Sequence, residues 1–196
     1  MKIYTKTGDL GETTLWQNVR LSKADRRIEL LGALDELNCH LGVAASLSSV
    51  PALTGPLETL QHSLFDTGAR LAQILSGKQK EVETDYSETI ELWEKEIDQM
   101  TKELSPLKNF ILPGGSPVAS HLHLARAVCR RAEILLAKII QEHSPPMPPQ
   151  SVPIADLALP FSQKYLNRLS DYLFILARLA NHYLKRPDLL WQPKTP

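Results

Sequence analysis

The chain has 196 residues, 22 basic and 22 acidic side chains, and two cysteines. That balance excludes a global pull toward nucleic acid or a membrane surface, and two cysteines cannot make a disulfide framework. No apolar run approaches the ~20 residues of a bilayer span, and MKIYTKTGDLGETTL carries no apolar signal core. The expectation is one domain over 1–196, cytoplasmic, with a substantial core and both thiols buried and free.

Residues 2–20 show no helical periodicity. Gly8, Asp9 and Gly11 punctuate a threonine-rich stretch, predicting an extended arm over 1–22 with a tight turn. Two readings stay open for it. One is a loosely docked terminus. The other is an anion cradle built from backbone N–H groups at the glycines, the hydroxyls of Thr5, Thr7, Thr13 and Thr14, and the charge of Lys6. The spacing is neither a Walker loop nor GxGxxG.

A capping-box-like pair, Ser22 and Asp25, starts a first helix over 24–48. Leu30, Leu34, Leu37, Leu41 and Ala44 form its apolar stripe, with Asp35, Asn38 and Gly42 one residue round. A second helix over 56–76 carries Leu57, Leu60, Leu64, Leu71 and Leu75 and ends at Gly77. Polar residues 77–85 read as a loop. A third helix over 86–104 has Ile90, Trp93, Ile97, Met100 and Leu104 on one face and stops before Pro106.

The densest stretch is FILPGGSPVASHLHLARAVCRRAE at 110–133. A Pro-Gly-Gly turn leads to Ser116 as N-cap and Pro117 at the first helical position. The helix over 117–143 is about 40 Å long. Its seam is Val118, Leu122, Ala125, Cys129, Ala132, Leu136 and Ile139, widened by Leu124, Val128 and Leu135 to an apolar arc of about 160°. Arg126, Arg130 and Glu133 share one polar stripe, and Arg131 lies across the polar arc. These charges are either structural ion pairs or a bracket for an extended anion.

Five prolines between 145 and 153 make 144–160 a proline-rich linker. A fifth helix over 160–186 carries the seam Leu166, Leu169, Leu173, Leu176, Ala180 and Tyr183, with Asn167, Asp171 and Arg178 beside it. Five helices without useful period-two alternation predict an all-α, five-helix, up-and-down bundle of ferritin-like packing, with an extended N-terminal arm. A di-iron site is set aside because no Glu-x-x-His spacing occurs. His121 and His123 point about 200° apart on a helix and cannot share one ion. No zinc spacing or nucleophilic triad declares itself, and the other histidines read as scattered.

Four segments in order, IYTKTGDLGETTL at 3–15, GALDELN at 32–38, the 110–133 stretch and YLNRLSDYLFILAR at 165–178, resemble the trimeric ATP:corrinoid adenosyltransferases of the propanediol-utilisation type. The resemblance implies transfer of the 5′-deoxyadenosyl group of ATP to the cobalt of reduced cob(I)alamin, giving adenosylcobalamin and triphosphate. Cobalt(I) is then the nucleophile, and the protein need not supply one. A non-catalytic ATP- or corrinoid-binding carrier or regulatory module on the same fold is the alternative.

Carried over residue by residue, the resemblance implies ATP contacts from Thr5, Lys6, Thr7, Gly8, Asp9, Thr13, Thr14, Lys23, Arg130, Arg131, Glu133 and Asn167. Arg130, Lys6 and Phe110 would be catalytic: the cations neutralise triphosphate, and Phe110 displaces the corrinoid's lower ligand. Asp35 and Arg126 would pair across a subunit interface. Mg²⁺ would arrive with ATP and the protein would hold no metal of its own. A homotrimer is implied, with a reductase or a cobalamin-dependent enzyme as further partner. Ile134 departs from the pattern, standing where another basic residue is usual.

Overall fold

The computed structural model describes residues 2–4, 6–77, 85–142 and 159–193. Thr5, most of the 77–85 loop and nearly all of the proline-rich linker lie outside the described residues. The elements in order are β1 (Glu12–Thr14), β2 (Arg20–Ser22), α1 (Arg26–Leu47), α2 (Pro51–Leu75), α3 (Ser87–Glu103), α4 (Pro117–Glu142) and α5 (Leu159–Tyr183), with a 3₁₀ turn at Trp16–Asn18. The bundle of five helices is as expected. The arm differs in holding a short antiparallel hairpin, Glu12 opposite Ser22 and Thr14 opposite Arg20. Three-residue strands are too short to show alternation in sequence.

Helix α4 is the central element, packed between α1 and α5. Every residue of its predicted seam is at most 1% exposed, and burying each leucine-sized side chain contributes roughly 1.5–3 kcal/mol. Arg26 near the start of α1 pairs with Glu142 at the end of α4, so the two run antiparallel. Tyr165 of α5 is fully buried, 4.6 Å from the Tyr86 ring and 4.9 Å from Trp93, with its hydroxyl 2.8 Å from that of Ser63. Helix α3 docks on α5 through Trp93 stacked on Tyr172, and the Tyr172 hydroxyl donates to Glu96 at 2.6 Å.

Three boundaries differ from the sequence reading for physical reasons. Helix α1 is capped by Asp25, whose carboxylate accepts from the Arg27 N–H at 2.9 Å; Ser22 instead accepts from Ala24 at 3.1 Å. Helix α2 begins at Pro51 rather than Pro56, because burial of Leu53 and Leu57 holds its first turns despite the bond lost at Pro56. Helix α5 stops at Tyr183: Arg186 N–H reaches Asn181 O and Lys185 N–H reaches His182 O, with Lys185 at φ 53°, a Schellman ending before Pro187. Cys129 is buried, but Cys39 is exposed, two residues and so about 200° from the buried Leu37. His40, expected to be scattered, instead meets His121, their Nδ1 atoms 3.5 Å apart between α1 and α4.

Candidate active site

The arm is organised by Arg20, a residue the sequence reading passed over. Its guanidinium donates to Thr14 Oγ1 at 3.1 Å, to the Thr7 carbonyl at 3.1 Å and to Glu12 at 2.8 Å. Gly8 is constrained by its neighbours. A β-carbon there would lie 3.1 Å from the Glu12 carbonyl oxygen and 3.3 Å from Lys23 Nζ, so glycine makes room for the lysine. Lys6 adopts φ 61° and its ammonium sits 5.9 Å from the Tyr4 ring centroid. Lys6, Thr7, Asp9, Thr14 and Lys23 are all exposed, while Thr13 is half-buried in the ladder opposite Leu21. The result is a turn carrying two ammonium groups and several hydroxyls.

A second set lies on α4 and α5. The Asn167 amide donates to the Glu133 carboxylate at 3.0 Å, tying the two helices together. Arg131 is paired with Glu36 of α1. Arg130 is exposed and, among the described residues, makes no ion pair or hydrogen bond. Asp35 is exposed and is not paired with Arg126 within the chain. Asn38, three residues on, is buried and exchanges hydrogen bonds with Gln61 at 3.2 Å each way, so that part of the stripe packs α1 against α2.

One turn before Arg130, α4 forms the wall of an open groove of about 850 Å³. Arg126 and His123 line it with Phe174 of α5, and Phe110 stands in it 80% exposed. Trp191, Gln192 and Pro193 line it as well, on a strap that begins at Leu189. Leu112 N–H donates to Leu189 O and Trp191 N–H to Phe110 O, both at 2.7 Å, and the Phe110 and Trp191 rings meet edge-on at 6.3 Å. Asp188 anchors this strap by accepting from the buried Arg178 at 2.7 Å. Asn181 holds the Pro-Gly-Gly turn, accepting from Ser116 N–H at 2.8 Å and donating to Gly114 O at 3.0 Å. Ser116 in turn caps α4, its hydroxyl oxygen accepting from Ala119 at 3.2 Å. Trp191, Phe174 and Asn181 carry no local signal, because the groups they meet are tens of residues away.

The electrostatics suit charge neutralisation rather than covalent chemistry. Burial, then the like charge of Arg130, lowers the proton affinity of Arg126. Burial, then Arg126, pushes His123 down to about 4, so its imidazole is neutral. The Cys129 thiol is pushed up by burial and donates to Leu166 O at 3.2 Å, leaving it inert as a nucleophile. Among the described residues, no three histidine, cysteine or carboxylate side chains gather to hold a metal ion.

A groove and a cationic face on one long helix, in a bundle with a glycine-lysine arm, define a class of helical nucleotide- and cofactor-handling enzymes. The family profile described as cobalamin adenosyltransferase matches residues 3–180, and the chain belongs to that family. It is 43% identical over 185 residues to a corrinoid adenosyltransferase of Bacillus subtilis, covering 92% of this chain and 87% of that one. It is 39% identical to a corrinoid adenosyltransferase of Mycobacterium tuberculosis, covering 98% and 93%. A variant of the PduO-type ATP:corrinoid adenosyltransferase from Lactobacillus reuteri, complexed with cobalamin and ATP, superposes with TM-score 0.83 at 34% identity over 97% of both chains.

Proposed function

We propose that this chain transfers the 5′-deoxyadenosyl group of ATP to the cobalt(I) of a reduced corrinoid. The cobalt–carbon bond forms as the C5′–O bond breaks, and the electron pair leaves with triphosphate. The observation that carries this reading is the adjacency on α4 of the groove wall at His123 and Arg126 and the exposed cation at Arg130. Arg130 lies four residues beyond Arg126, a rise of about 6 Å. A corrinoid in the groove and a triphosphate at Arg130 would then flank one reaction centre, and positioning plus charge neutralisation supplies the catalysis.

In this reading Phe110 meets the lower face of the corrinoid, and Lys6 and Arg130 neutralise triphosphate. Thr5, Thr7, Gly8, Asp9, Thr13, Thr14 and Lys23 close over the nucleotide, with Arg131, Glu133 and Asn167 orienting it. Mg²⁺ arrives with ATP. The arm set and the helix set stand on different elements, which a homotrimer would bring together with Asp35 and Arg126 facing each other between subunits. The cytoplasm, where ATP and reductant are available, is the proposed location. The test supplies ATP, Mg²⁺ and chemically reduced cobalamin to the full chain and follows the light-sensitive adenosylcobalamin spectrum. No product at any enzyme concentration would sink the reading, and tight binding of both substrates without turnover would identify a carrier instead.

A further inference from the structure

His123 is the most exacting polar group in the groove. It is 4% exposed, and neither ring nitrogen has a hydrogen-bond partner among the described residues. Phe174 packs beside it with ring centroids 6.0 Å apart, and Arg126 stands three residues along the same helix. The great majority of buried polar side-chain atoms are hydrogen-bonded. A phenylalanine at 123 would fill this site without leaving two such atoms unpaired, so an imidazole here is costly unless a ligand completes it.

The kind of ligand follows from the ring's chemistry. Burial and the Arg126 charge keep the imidazole neutral, and a neutral imidazole offers one N–H donor and one lone pair. A primary carboxamide can meet whichever nitrogen it reaches, its oxygen accepting from the N–H or its NH₂ donating to the lone pair. A carboxylate can meet only the N–H and is repelled by the lone pair. The rim of a corrinoid ring carries primary carboxamides. We infer that His123 is a positioning residue that holds the corrinoid by hydrogen bonding a peripheral carboxamide from the groove wall. This rests on the adenosyl-transfer reading above.

The test measures steady-state constants and cob(II)alamin binding for the full chain and two variants. His123→Leu keeps bulk and loses both polar atoms; His123→Gln keeps a neutral donor and acceptor. The Leu variant is expected to raise the KM for cob(I)alamin about tenfold, equivalent to about 1.4 kcal/mol. Its kcat and its KM for ATP should stay within about twofold of wild type, and the Gln variant should recover most of the loss. Wild-type corrinoid affinity in the Leu variant would overturn the inference, as would a Gln variant no better than Leu. So would nitrogen hyperfine structure in the electron paramagnetic resonance of wild-type-bound cob(II)alamin that disappears in the Leu variant, because His123 would then be a cobalt ligand. If the Leu variant fails to fold, wild type is titrated with cobalamin monocarboxylic acids. Weaker binding of one isomer by about fivefold or more supports the contact, and equal binding of all isomers overturns it. A wild-type chain that neither binds nor adenosylates corrinoid fails the broader reading; a fully active Leu variant fails only this one.

Discussion

Asn181 fills the space that a β-carbon on Gly115 would need, its Cγ lying 2.6 Å from the position that carbon would take. Gly115 also has φ 107°. The same amide satisfies Ser116 and Gly114, so the turn that aims α4 depends on a contact with the far end of α5. Gly115→Ala is expected to destabilise the chain by about 3 kcal/mol through displacement of Asn181 and backbone strain. Urea midpoints measure this. A loss under about 0.5 kcal/mol, typical of unconstrained surface positions, would show that the turn can relax.

Arg130 is exposed and, among the described residues, makes no ion pair or hydrogen bond. Arg130→Ala should therefore keep the unfolding midpoint while kcat falls about 10²–10³-fold, the cost of one lost contact to developing charge, roughly 2.7–4 kcal/mol. Circular dichroism and single-turnover kinetics separate the two effects. Near-normal turnover would remove Arg130 from the mechanism.

Among the described residues, the buried Nε of Arg126 has no partner and the exposed Asp35 makes no ion pair. If the two meet between subunits, Asp35→Ala and Arg126→Ala should couple by about 1–3 kcal/mol in kcat/KM, and each should weaken the assembly in sedimentation. Simple additivity, within about 0.5 kcal/mol, would mean that they do not touch.

His123 also sets a pH dependence. Its native proton affinity is held down to about 4 from the ordinary 6.5, first by burial and then by Arg126. Between those values the unfolded chain binds the proton and the native chain does not, so stability falls as pH is lowered from about 6.5 to 4. The contribution is on the order of 2–3 kcal/mol, complete below pH 4 and negligible above 7. Urea midpoints at pH 7 and 5 should differ more for wild type than for His123→Phe. Identical slopes for the two would place the titration elsewhere.

Much of the architecture is legible along the chain because helices write their packing locally. The seam from Val118 to Ile139 is buried throughout, and the Ser116 cap follows from a side chain three residues from its partner. Pro56 misled because proline at a helix start and proline six residues in look alike until the burial of Leu53 is known. The groove was harder to read. Phe110 stands out in sequence, but its wall depends on Trp191, Asn181 and Phe174, and pairs separated by some 65–80 positions leave no periodicity to read. In sequence His123 shows only as half of a His-x-His pair with His121, and its burial emerges only once α5 is laid against α4.

The strap at 189–191 has a consequence for synthesis. The arginines of α4 and the Phe110 turn leave the ribosome some sixty to eighty residues before Leu189, whose carbonyl accepts from Leu112, and Trp191, whose N–H donates to Phe110. A nascent chain therefore acquires its cationic helix face well before it has a second wall. A fusion or nick placed between Pro187 and Pro193 should uncouple the two, giving a protein that keeps its helical bundle and its free arginine but no longer retains the second substrate. Tags intended for purification are best attached elsewhere.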